Sequence, residues 1–445
     1  MKRLHTAVFA GLFAVSAFAQ STDQKIADLE SKIQELDQRV RVSERLKEIK
    51  DEEADAKAKN TASVSADQGG FYIRSGDGSF ALKIGADLQV DNRSFTGPGS
   101  ALTSDTVLLR RLRPTFSGTV YRNVDFFFRP DFGGGTTAIY EAYIELKYVP
   151  RAKLRVGKFK PPVGLERLQA DDDTNFVERG LPTLLVPSRD IGYQISGDIV
   201  SKRVNYAVGV FNGVPDNGLS DAAAGAQRDY SARLWLTPFA PSSGSPLAGL
   251  GFGAAISGGN ADGITLPSYR TFGQAAFLPF ATGVTQAGHR TRTSPQALYN
   301  IGSFGLLAEY VLAEEGFLKS GARRAISLRA WQTQVTYLLT GEKKTTASPT
   351  PKRVFDPAKH GWGAVELAAR VSDFDAARAL YDYGLVDPTK AARRAHEWVG
   401  GVNWYLNRML RISLDYGRTN FTGGAVAGNR PAERVIIGRF QINFI

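Results

Sequence analysis

Three arginines fall within four residues of the stretch LLRRLRPTF at 108–116: Arg110, Arg111 and Arg113, set among leucines. A guanidinium offers a planar fork of donors that matches carboxylate or phosphate oxygens, and it stays charged at any physiological pH. Such a cluster can hold an oxyanion, or it can pair with carboxylates and brace a wall. Arg129, Arg155, Arg233, Arg370, Arg411 and Arg439 are further candidates for an anion pathway, each on the polar side of an alternating segment. Lys158, Lys160, Arg167, Arg179 and Arg189 add basic groups to a long intervening stretch, and Asp125, Asp131, Glu145, Glu366 and Asp415 are available as partners.

Other chemistries have less to work with. The chain has no cysteine, which removes disulfides, thiolate metal sites and cysteine catalysis together. Its four histidines (His5, His289, His360 and His396) share no metal-ligand spacing, so no metal or other cofactor is expected. No nucleophile motif accompanies His360 or His396, and the Gly133–Gly135 run lacks the Lys-Ser/Thr pair of a phosphate-cradling loop. Catalysis is not expected.

The first 19 residues read as an export signal: Lys2 and Arg3, an apolar run from Ala7 to Ala17, then Ala17-Phe18-Ala19 as a cleavage site before Gln20. Residues 20–60 carry Ile26, Leu29, Ile33, Leu36 and Val40 at alternating spacings of three and four, a heptad seam that restarts at Val42, Leu46 and Ile49. So narrow a stripe has little to bury unless copies associate, so a coiled-coil helix is expected, with a linker at 61–70. Residues 20–60 are nearly charge-balanced, so the net charge of +11 resides almost wholly in the body beyond them. A basic body suits an anionic partner, and export argues against nucleic acid.

From Phe71 the period changes to two. Phe80, Leu82, Ile84, Ala86, Leu88 and Val90 alternate with Ala81, Lys83, Gly85, Asp87 and Gln89. The pattern recurs at 140–148, 190–199, 410–416 and 436–444, giving sixteen or seventeen segments, least clear at 269–299. A soluble sandwich or propeller would hide the apolar face in a core, whereas a transmembrane barrel turns it to lipid. Export, strand length, aromatics near strand ends, and charged residues on the inner face throughout favour the barrel. The fold class expected is all-β, a transmembrane antiparallel β-barrel over 71–445, with sixteen strands because bacterial barrels of this type have even numbers.

Several stretches resemble the phosphate-selective porins O and P of Gram-negative outer membranes. They include LLRRLRPTFSGTVYRNVDFFFRPDFGGG at 108–135, KFKPPVGLERL at 158–168, FVERGLP at 176–182, YAVGVFNGVPD at 206–216, GAVELAARVSDFD at 363–375 and GVNWYLNR at 401–408, in the family's order. The resemblance implies a trimeric barrel in outer-membrane lipid, an anion-selective lumen for phosphate, pyrophosphate or related anions, and an inward-folded third loop. A general anion porin for organic phosphates or acidic sugars, or an envelope tether using the coiled coil, remain alternatives. Both barrel termini of an even-stranded barrel lie on the periplasmic side, so the helix is expected there.

Within such a barrel, Leu108, Leu112, Phe116 and Val120 face lipid while Arg111 and Arg113 face the lumen. Arg110 then has lipid-facing parity, and a break near Pro114 is expected to turn it inward. The stretch 158–190 is too long for a simple connection and is expected to form the constriction. It contains Asp171, Asp172 and Asp173 beside the anion path. Either they pair with Arg167, Arg179 or Arg189, or they weaken anion retention; the second is expected, because adjacent acids rarely all find partners.

Overall fold

The computed structural model describes residues 5–67, 70–97, 99, 104–218, 228–240 and 244–444, with side chains from residue 24 onward apart from 56 and 58–60. Residues 1–4, the side-chain pattern of the export signal, and Ile445 lie outside the described residues.

Sixteen antiparallel strands close a barrel. They are β1 (Ala81–Phe95), β2 (Thr106–Val120), β3 (Val124–Asp131), β4 (Ala138–Leu146), β5 (Lys153–Phe159), β6 (Asp190–Ile199), β7 (Val204–Phe211) and β8 (Asp229–Leu236). The wall continues with β9 (Leu250–Asn260), β10 (His289–Ile301), β11 (Phe304–Lys319), β12 (Ala322–Leu338), β13 (Ala364–Ala376), β14 (Ala392–Tyr405), β15 (Leu410–Ala425) and β16 (Glu433–Phe444). Each strand pairs with its sequence neighbour, and β16 returns to β1 with Phe444 opposite Ala86 and Val435 opposite Phe95. Closure leaves no open edge in lipid, the condition a membrane imposes on a sheet.

The period of two in the sequence becomes two faces. On β12, Ile326, Leu328, Ala330, Gln332, Gln334 and Thr336 are buried inward, while Trp331, Val335 and Tyr337 are exposed on the outside. The inner face is not polar throughout, however. Val311, Phe317, Leu328, Ala330 and Phe374 form an apolar inner wall toward the long-loop end. Tyr269 and Phe277 from the loop 261–288, and Leu380 and Leu385 from the loop 377–391, cover it. These infolded loops give apolar inner residues something dry to pack against, so alternation alone could not show that side of the lumen as filled.

Connections at one end are mostly short, as at 121–123, 200–203 and 302–303, and those at the other end are mostly long. In bacterial barrels the long-loop end is extracellular. One short-turn-end connection, 339–363, departs from that pattern and reaches into the lumen. The short strand Ser63–Asp67 lies within the expected linker, and another, Gly70–Arg74, starts at its last residue and pairs with β1. The N-terminal segment is a single helix, α1 (His5–Asn60), a separate compact unit. Its seam residues Ile26, Leu29, Ile33, Leu36 and Val40 are all exposed.

Candidate functional site: an arginine pocket inside the barrel

The chain bulges at Arg110. Gln89 opposes Arg111 and Val90 opposes Leu109, leaving Arg110 as the extra residue of β2. A bulge re-aims side chains, and here it puts Arg110 and Arg111 both toward the lumen. It also reverses parity above itself: Val107 and Leu109 are exposed on the outside, and Leu108 is not among the lipid-facing residues. Pro114 is not the cause, since it stays in register opposite Ala86. Gly133 is required beside the bulge, because a Cβ there would lie 2.7 Å from the Arg110 carbonyl oxygen. A second bulge, where Arg129 opposes Glu141 and Pro130 opposes Ile139, makes Tyr140 the extra residue of β4. Tyr140 is buried and donates to Asp171 at 2.7 Å.

The loop 160–189 folds into the barrel and is buried along most of its length. Gly164, at φ +83°, starts a short turn whose Leu165 and Glu166 N–H groups donate to the Glu309 carboxylate at 2.7 and 3.2 Å. Across the lumen, Val177 N–H donates to Asp415 at 2.8 Å. Arg411 donates to the Thr174 carbonyl and Arg370 to the Glu178 carbonyl, each at 2.9 Å. Arg370 and Arg411, expected along the anion path, are thus covered by the loop and hold it. Arg439 is likewise taken up by Asp91 at 2.6 Å, and Arg155 by Glu145 at 2.6 Å. Arg129 donates to Thr115 at 3.0 Å, and Arg233 donates to Gln296 at 2.9 Å. Lys158 belongs to β5 and not to the loop, which begins at Lys160.

The three aspartates divide. Asp171 meets Arg113 and Arg179 at 2.5 Å each and Arg189 at 3.1 Å. Burial opposes its charge, but Arg189, Arg179, Lys160 and Arg113 outweigh burial and hold the carboxyl well below its usual range. For Asp171 alone this corrects the expectation of unneutralised acids: Arg179 and Arg189 come from the loop and Arg113 from β2. Asp172 hydrogen-bonds Asn443, and Asp173 accepts from Ser348 N–H at 2.7 Å in the turn 339–363. Burial, then Asp172, push the Asp173 carboxyl upward. Burial, then Arg189, push the Lys160 ammonium well down, and it donates to the Gln169 carbonyl at 2.5 Å.

Above the Asp171 cluster lies a cavity of about 300 Å³ whose lining includes Arg110, Arg111, Arg113, Arg167, Arg179 and Arg270. Against these six arginines the lining offers two carboxylates, Asp131 and Glu178, an excess of four positive charges. Glu178 is committed to Arg110 at 2.7 Å and Arg93 at 2.8 Å, and Asp131 to Arg113 at 2.7 Å. Among the described residues, Arg111 bonds only the Gln89 side-chain oxygen. Arg167 reaches the Thr183 carbonyl and Asn217 at 2.6 Å each and Ser188 at 3.4 Å, all neutral. Among the described residues, the Nε of both is buried without a partner. Burial, then repulsion from Arg179 and Arg189, bring Arg167 down to about 10, so it remains charged at neutral pH among groups that repel it. An oxyanion in this cavity would supply what both lack.

Arg270, Arg93, Glu178 and Tyr140 were not singled out in the sequence. The signal for Arg270 was available: 261–288 is too long for a plain loop and carries Tyr269, Phe272, Phe277 and Phe280, more aromatic surface than a solvated loop needs.

The phosphate-selective porin O and P family matches residues 82–444. Among solved structures, the outer membrane channel DcaP of Acinetobacter baumannii superposes with a TM-score of 0.52 at 9% identity, covering 82% of this chain and 98% of that one. In-vitro folded OmpT, an outer membrane protein of Vibrio cholerae, gives 0.50 at 12% identity, with 82% and 98% covered. An anion-selective porin from Comamonas acidovorans gives 0.49 at 9%, with 82% and 100% covered. At such identities the first two speak for the fold alone. No curated protein matches the sequence. With a matching family over nearly the whole barrel, the chain belongs to the phosphate-selective porin O and P family and is an outer-membrane porin channel.

Proposed function

We propose that the channel is anion-selective and that the six-arginine cavity is its binding station for phosphate-bearing solutes. The observation that carries this is the pair Arg111 and Arg167: two buried guanidiniums with only neutral partners, in a cavity with surplus positive charge. Fixed cations of this kind replace part of an anion's hydration shell and repel cations. A volume of about 300 Å³ is at the lower end of small-molecule sites, so pyrophosphate or a small organic phosphate suits it as well as phosphate does. The supporting frame is a homotrimer, with residues 1–19 removed on export and residues 20–60 held as a coiled coil in the periplasm. In planar bilayers, phosphate and pyrophosphate are expected to block chloride current with saturable concentration dependence, and sulfate less strongly. Chloride current indifferent to both phosphates would remove the binding station.

A further inference from the structure

The outer wall repeats the device used inside. On β14, Ala392 opposes Gly423 and Arg394 opposes Thr422, so Arg393 is an extra residue. The bulge places Arg393 and Arg394 together on the outside. There they join a row of charges: Arg329 and Arg393 flank Asp375 at 2.7 and 2.6 Å, and Arg394 and His396 meet Asp373 at 3.0 and 2.9 Å. The row continues to Arg418, opposite Arg434. Neither Arg418 nor Arg434 has a carboxylate partner among the described residues; Arg418 reaches only Asn420, at 3.2 Å. Five arginines thus oppose two aspartates, and Arg329 and Arg394 remain 62% and 48% exposed despite their pairs.

Charge on the lipid side of a barrel is costly at the bilayer midplane and tolerated only near the interface. The flanking residues fix which level this is. Trp331, Trp398 and Tyr416 lie two residues below Arg329, His396 and Arg418 on the same outward face, and the rings of Trp398 and Tyr416 are 5.3 Å apart. Such aromatics mark the membrane interface. At the other end, Tyr337 stands eight residues from Arg329 and Trp404 ten from Arg394. At about 3.4 Å per residue and a tilt near 40°, these separations give roughly 21–26 Å, the height of an outer-membrane apolar band. The arginine row is therefore at headgroup height at the long-loop end.

We propose that the outer face of β12–β16 binds the phosphate groups of lipopolysaccharide in the surrounding outer leaflet. Phosphate monoesters on a lipid held at this height meet guanidinium forks pointing outward, with Arg418 and Arg434 free to take them bidentately. Asp373 and Asp375 hold the paired arginines in place, and the aromatic residues below receive the acyl chains. The inference rests on the outer-membrane placement and is independent of what passes through the lumen.

The test uses the full-length protein in detergent, titrated with purified lipopolysaccharide and with the same material after enzymatic removal of its phosphates. Retention is read by native mass spectrometry. The phosphorylated form is expected to bind at least tenfold more tightly. The combined variant Arg394→Gln, Arg418→Gln, Arg434→Gln is expected to lose at least tenfold in binding, with single-channel conductance and selectivity unchanged. Equal binding of the two lipid forms would overturn the proposal, as would undiminished binding by the variant. A variant that binds lipid normally but loses its oligomeric mass would instead make the row a contact between copies. Should the variant fail to fold, the two-lipid comparison on the parent protein decides alone.

Discussion

Arg111 and Arg113, two residues apart on one strand, do different work. Arg113 lies 2.5 Å from Asp171 and stacks 3.5 Å over the Tyr140 ring, so it braces the wall against the loop. Arg111, with a single neutral partner among the described residues, is available to a solute. A hydrogen bond to a charged group contributes roughly 1.5–3 kcal/mol. Arg111→Ala and Arg167→Ala are each expected to weaken phosphate block by about tenfold or more while leaving heat-resistant oligomers on gels; loss of the oligomers would make them structural. Arg113→Ala is expected to lower thermal stability, read as the gel transition temperature, more than it lowers block. The sequence made the cluster conspicuous, but it could not divide these roles. That division depends on two one-residue bulges and on Asp171, which approaches from a loop 58 residues downstream of Arg113.

Among the elements, the loop 160–189 was legible from its length and apolar content, and its inward course follows from having nowhere else to bury Val163, Leu181, Leu185 and Val186. The turn 339–363 was illegible, and the second infolded loop at 261–288 showed only in its length and aromatics, since period-two alternation reports which face a residue is on and nothing about what covers that face. Asp171 is the pin of the loop 160–189. Breaking a buried ion pair from one side costs roughly 3–5 kcal/mol, so Asp171→Asn is expected to unseat the loop, raising conductance and lowering the transition temperature. Asp172 and Asp173 have no arginine partners among the described residues, so Asp172→Asn and Asp173→Asn are expected to change both far less. A uniform response across the three would mean that Asp171 does not anchor the loop. Both Asp171 and Glu178 are held below the usual carboxylate range by their arginines, against burial. Their stabilisation is complete above the unfolded values near pH 4 and is lost only as pH falls through the lower folded values. Conductance should therefore hold steady between pH 7 and about pH 5; a rise in that window would show the clamp to be weaker than its geometry.

For the whole molecule, sixteen strands close a complete barrel without α1, which forms a separate unit. A chain starting near Asp67 is expected to insert and conduct like the parent, and failure of that truncation to fold would tie the helix to barrel assembly. The barrel class was readable because closure and lipid contact impose one rule on every strand, whereas the lumen obeys no repeating rule. The selectivity proposed for it draws on an arginine excess gathered from β2, the loop 160–189 and the loop 261–288. The most direct measurement is the reversal potential of single channels under a potassium chloride gradient, for the parent and for Arg111→Ala with Arg167→Ala. The parent should reverse toward the chloride equilibrium potential, and the double variant should shift toward zero. A parent that reverses toward the potassium potential, or a double variant indistinguishable from it, would contradict a pore governed by these arginines.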